Sequence, residues 1–135
     1  IKYIDIFIYN IFIISLLLII QIDNILLLNE LKEQLERKYK INVYVFITDL
    51  SNTDNLQKLY DLIIGLKVPI STLINNAGIG NYGSFNETNL NEDINIIQVN
   101  VISLVILTKL FAKHFLKNQR RGSDFYDQVF PKFHC

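Results

Sequence analysis

Apolar positions along the middle of the chain change rhythm from helical to strand-like and back. Leu28, Leu31 and Leu35 recur at three and four residues and put one apolar stripe on a helix. Glu33 with Arg37, and Glu36 with Lys40, stand four apart with the acid first, the favourable order on an exposed face. Residues 41–48 form a nearly continuous apolar run in which Val43, Val45 and Ile47 alternate with Tyr44 and Phe46. Both sets are apolar, so both faces of this strand need cover, as in a parallel sheet between helix layers. Ser51-Asn52-Thr53-Asp54 has capping-box form, and Leu56, Leu59, Ile63 and Leu66 mark a second helix that Pro69 closes. Residues 71–75 read as a short buried strand. Residues 76–83 then form a loop with Gly78, Gly80 and Gly83, and a long helix spans about 91–116. Strands alternating with helices imply an α/β fold with right-handed crossovers. The strands 41–48 and 72–75 are expected to be parallel neighbours, with helices on both faces. On the long helix, Ile94, Ile97, Val101, Leu104 and Val105 are expected to face the sheet. That leaves Ile102, Ile106, Leu110 and Phe111 apolar on its other sides.

Both ends break this pattern. Asp5 and Gln21 bracket an isoleucine-rich run that contains Asn10 and Ser15. A membrane span needs about 20 predominantly apolar residues, and a strand buried on both faces has the same composition. Three readings stay open: misread or foreign sequence, a buried strand, and a membrane anchor from Ile6 to Ile20. In the frame-error reading, residues 1–22 pack poorly or stand off as a helix. The first alanine is Ala77, so no A-x-A signal cleavage site lies upstream of it. At the other end, Arg120-Arg121-Gly122 can finish the long helix, and beyond it periodicity is lost. The organisation is a hydrophobic segment at 1–22, a partial domain at 23–118 and an irregular tail at 119–135. The sheet is expected to stop at strand 72–75, with an open edge prone to pairing. That edge and the apolar helix together predict self-association, unless Phe125, Tyr126, Val129, Phe130 and Phe133 fold back over the patch.

Composition narrows the functional classes. A chain of 135 residues can hold one domain with a real core, and 50% hydrophobic content with 19% charge excludes disorder. Thirteen basic residues balance thirteen acidic ones, so nothing electrostatic points to nucleic acid. The single cysteine, Cys135, excludes an internal disulfide and fits a reducing, cytoplasmic compartment. His134 and Cys135 are adjacent, a poor geometry for one metal, and His114 reads as a surface or partly packed residue; no metal site is expected. The absence of methionine makes the chain read as a piece of something longer.

Candidate chemistry lies where strands end. In an open parallel sheet, ligands bind beyond the carboxyl ends of the strands. Two loops are predicted there: Asp49-Leu50-Ser51 and Asn75-Asn76-Ala77-Gly78. The short side chain of Ala77 and the bare backbone of Gly78 would let a flat ring or a sugar approach closely; a plain turn would use the same residues. Asn100 is polar between Val99 and Val101, and a buried amide there needs partners.

The succession of Val45-Phe46-Ile47-Thr48-Asp49-Leu50, a helix, Asn75-Asn76-Ala77-Gly78, a glycine loop and Ile97-Gln98-Val99-Asn100-Val101 resembles the middle of the short-chain dehydrogenase/reductase family. The resemblance implies a partial Rossmann-like, doubly wound parallel sheet and an NAD or NADP cofactor. It also implies hydride transfer between the nicotinamide and an alcohol or ketone. Asp49 would accept a hydrogen bond from the adenine amino group, with the Leu50 backbone beside the ring. Asn75, Asn76, Ala77 and Gly78 would line the adenosine side, and Asn100 would be the family's helix asparagine, supporting an active-site lysine through water. On that alignment residues 16–22 are a strand and Asp23 meets the ribose.

The departures are equally specific. No glycine precedes Gly65, so the glycine-rich turn that seats the diphosphate is missing. None of Tyr3, Tyr9, Tyr39, Tyr44, Tyr60, Tyr82 and Tyr126 has lysine four positions later, so the family's tyrosine–lysine pair is missing too. The expectation is a fragment of an NAD(P)-dependent oxidoreductase without activity of its own. The rival is a membrane-anchored, non-catalytic α/β interaction protein.

Overall fold

The computed structural model describes residues 5–9, 15–20, 25–70, 73–119 and 129–131. Its elements run β1 (Asp5–Tyr9), β2 (Ser15–Ile20), α1 (Ile25–Tyr39), β3 (Asn42–Phe46), α2 (Thr53–Gly65), β4 (Leu73–Asn75), α3 (Leu90–Ile97), a π-helical turn (Gln98–Ser103), α4 (Leu104–Gln119) and β5 (Val129–Pro131). The strands form one sheet in the order β3-β2-β1-β4-β5. This is an α/β sheet with helices on both faces, as expected.

The alternation in β3 explains the two layers. Val43 is buried against Leu28 of α1, with Leu31, Leu35, Ile41 and Val45 packed around them. Tyr44 and Phe46 face the other way, onto a core of Leu50, Leu56, Leu59, Ile63, Ile70, Leu73, Val99, Leu107, Phe111 and Phe115. Burying a leucine or phenylalanine fully is worth about 1.5–3 kcal/mol, so the α2–α4 side carries most of the apolar stabilisation. β3 lies at the edge of the sheet, and its Val43 N–H donates to Glu36 Oε1 of α1 at 2.9 Å. That contact satisfies an edge donor that would otherwise invite a foreign strand.

Several expectations are corrected. Strands β3 and β4 are not neighbours, because β2 and β1 lie between them. Residues 5–9 and 15–20 neither stand off nor form a helix: β2 pairs in parallel with β3, and β1 pairs antiparallel with both β2 and β4. Length explains the reversal. Only residues 10–14 separate β1 from β2, whereas parallel neighbours need a crossover of about a dozen residues or more. The sheet does not stop at β4 either. In the stretch expected to be irregular, Val129–Pro131 pairs in parallel with β4.

Helix caps and faces also differ in detail. The α2 cap is Asn52, whose side chain accepts from the Asp54 N–H, rather than Ser51. On the long helix the buried positions are Val99, Ser103, Leu107, Phe111 and Phe115, while Ile94, Ile97, Val101 and Val105 are about half exposed. The expected face is therefore the outer one. By length and composition the continuous helix Leu90–Asn118 could cross a membrane, but here its buried stripe forms part of the sheet's core.

Candidate functional site at the carboxyl edge of the sheet

Strands β2, β3, β4 and β5 point the same way, so Ile20, Phe46, Asn75 and Pro131 end at one edge. The loops after β3 and β4 leave from that edge. In the first, Asp49 is exposed, and its Oδ1 accepts from the Ser51 N–H at 2.9 Å and the Ser51 hydroxyl at 2.7 Å. Asn55 Nδ2 donates to the Asp49 carbonyl at 3.3 Å. This turn fixes the backbone just before α2, while the Leu50 side chain is sunk in the core. Leu50 can thus offer only its main chain to a ligand.

The second loop is held from the long helix. Asn100 Oδ1 accepts from the Ile79 N–H and Asn100 Nδ2 donates to the Ile79 carbonyl, both at 2.9 Å. One amide side chain thereby satisfies both backbone groups of the residue after Gly78. Asn100 lies in the π-helical turn, where Ser103 also donates from its hydroxyl to the Val99 carbonyl. Such turns insert one residue and re-aim side chains, often at functional sites. Sequence periodicity gave no hint of this one, because every residue around Asn100 suits a regular helix.

Asn75 has a different environment. It is buried, its Nδ2 donates to the Thr108 hydroxyl of α4 at 2.9 Å, and its Oδ1 has no hydrogen-bond partner among the described residues. Asn76, Ala77 and Gly78 are partly exposed beyond it. A Cβ added at Gly78 would meet Asn100 Oδ1 at 3.7 Å, an ordinary contact, and one at Gly80 would meet nothing within 4 Å. The protein's own packing therefore does not require glycine at either place. Asp23 lies outside the described residues, as do His134 and Cys135. Among the described residues no cluster of three metal-ligating side chains occurs.

The fit to a dinucleotide is incomplete. The loops after β3 and β4 present backbone and polar groups at this edge. The position normally filled by a glycine turn and helix after the first strand is instead taken by the start of β1, since Asp5 pairs with Ile20 and Ile6 with Asn75.

A strand order of β3-β2-β1-β4-β5 is the first five positions of the doubly wound dinucleotide-binding sheet, and loops gathered at its carboxyl edge make this a Rossmann-type protein. The family model described as short chain dehydrogenase matches residues 18–123, and the chain belongs to that family of oxidoreductases. A very-long-chain 3-oxoacyl-CoA reductase from Candida glabrata is 30% identical over 102 residues, 73% of this chain and 28% of the relative. Among solved structures, the bulky-bulky ketone specific alcohol dehydrogenase from Comamonas testosteroni superposes with a TM-score of 0.68 at 23% identity, over 77% of this chain and 41% of that one. The short-chain dehydrogenase from Sphingobium yanoikuyae in complex with NADPH gives 0.65 at 24% identity, over 77% and 40%. The chain thus spans well under half the length of these relatives.

Proposed function

We propose that this chain is the adenosine-side portion of an NAD(P)-dependent oxidoreductase that transfers hydride between its cofactor and an alcohol or ketone, and that by itself it does not catalyse that step. The observation that carries the reading is the paired hydrogen bond between Asn100 and Ile79, which ties the Asn75–Gly78 loop to the long helix. In this reading the Asp49 carboxylate meets the adenine amino group, the Leu50 main chain flanks the ring, and Asn76, Ala77 and Gly78 line the sugar. Asn75 stays beneath them, joining β4 to α4. Asn100 is a positioning residue whose lysine partner must come from elsewhere. An NADPH complex of one neighbour supports the cofactor class, and the ketone and 3-oxoacyl names of two relatives support a carbonyl substrate. A cytoplasmic location goes with the lone cysteine.

Two measurements test this. NADH or NADPH oxidation with a panel of ketones should show no turnover above background; turnover that disappears in Asn100→Ala would overturn the proposed inactivity. Gly78→Ala should leave unfolding unchanged, since its Cβ has room. Against a bound adenosine the same methyl should cost about 1 kcal/mol, or roughly fivefold in affinity. Unaltered adenosine affinity would remove Gly78 from the site.

The outer stripe of the long helix supports association with a second copy. Ile94, Ile97, Val101 and Val105 lie on one side and are each about half exposed, an apolar patch of the kind that marks contact surfaces. Val101→Lys should shift sedimentation toward monomer without lowering stability; unchanged sedimentation would place the contact elsewhere.

A further inference from the structure

We infer that this chain recognises its nucleotide as a nucleoside: among the described residues, the sheet edge offers adenosine a place but gives the diphosphate no seat. The inference rests on the adenosine-side reading above and extends it through the topology of β1.

In a doubly wound sheet the diphosphate sits on the amino terminus of the helix that follows the first strand, at the point where strand order reverses. Here β1 is followed by β2, after residues 10–14 alone. β1 pairs antiparallel with β2 and β4, so Tyr9, the carboxyl end of β1, lies opposite Leu16, at the far end of the sheet from Asn75. The carboxyl end of β1 is thus on the wrong edge to meet a ligand held by the loops after β3 and β4.

No other described helix supplies a replacement. The first turn of α2 contains Asp54, and that of α3 contains Glu92 and Asp93. Carboxylates there occupy the favourable end of the helix dipole and repel a phosphate. Helix α1 opens on Ile25-Leu26-Leu27-Leu28, with no glycine to let a phosphate approach the backbone. Among the described residues, Lys40 and Lys67 precede β3 and β4, so both belong to the amino edge of the sheet.

The test is a titration of the full, isotopically labelled chain with adenosine, ADP and NADH, followed by amide shifts of Asp49–Ser51 and Ala77–Ile79. All three ligands should bind weakly, with affinities within about threefold of one another, and salt should change them little. ADP or NADH binding about a hundredfold tighter than adenosine would overturn the inference while leaving the adenosine-side reading intact. Shifts from none of the three would overturn the adenosine-side reading, and the inference with it.

Discussion

Asn100 shows how far a single residue can be read in advance. Polarity inside an apolar stretch demanded partners, and the structure supplies two from one residue, the N–H and carbonyl of Ile79. The partner's identity was not legible, because it depends on a loop 21 positions away. Replacing Asn100 by Ala leaves both groups of Ile79 unpaired in a partly buried place, so stability should fall by about 2 kcal/mol. Urea unfolding measures this, and a change under about 0.5 kcal/mol would mean water takes over both bonds. His114 gives a second residue-scale test. Burial lowers its pKa below the ordinary 6.5, the nearby Lys117 charge adds to that, and the ring packs edge-on to Tyr60. As pH falls through 6.5 the unfolded chain takes up the proton first. Stability present above that pH drains away until the folded imidazole is protonated too. The thermal midpoint should therefore drop as pH falls through 6.5, and His114→Gln should flatten that profile. An identical slope in the variant would assign the pH dependence to other groups.

At the scale of elements, α1, β3, α2 and β4 were legible because each follows a single sequence period. Leu28, Val43, Leu56, Leu59, Ile63 and Leu73 are all in the core. The long helix was not. Both of its stripes are apolar, and the buried one carries Ser103, which looks unfit for a core until its hydroxyl is seen bonded to the Val99 carbonyl. The end of α2 was also hidden. Pro69 marks where the helix has stopped, but the chain leaves it through Lys67, at φ 56°. A side chain in that left-handed conformation is strained, and glycine is not. Lys67→Gly should stabilise the protein by about 0.5–1 kcal/mol despite the looser unfolded chain. A lower urea midpoint in this variant would show that the lysine side chain contributes more than its backbone costs.

For the whole molecule, the strand order matches a doubly wound fold while one strand runs backwards. The order follows from β2 packing beside β3 and from β4 and β5 lying beyond β1. The direction follows from the five residues, 10–14, between β1 and β2. The sequence showed the missing glycines, but not that β1 would still take the central place. Nor did apolarity separate a strand inside a sheet from a helix in a membrane, since both are covered on all sides. The reversed strand decides whether the edge is a dinucleotide site, so its direction is the quantity to measure. In a Cys135→Ser background, Tyr9→Cys should form a disulfide with Leu16→Cys, its register partner, and none with Ile20→Cys at the opposite end of β2. Closure of the Tyr9→Cys and Ile20→Cys pair, with the other left reduced, would make β1 parallel to β2 and contradict the account.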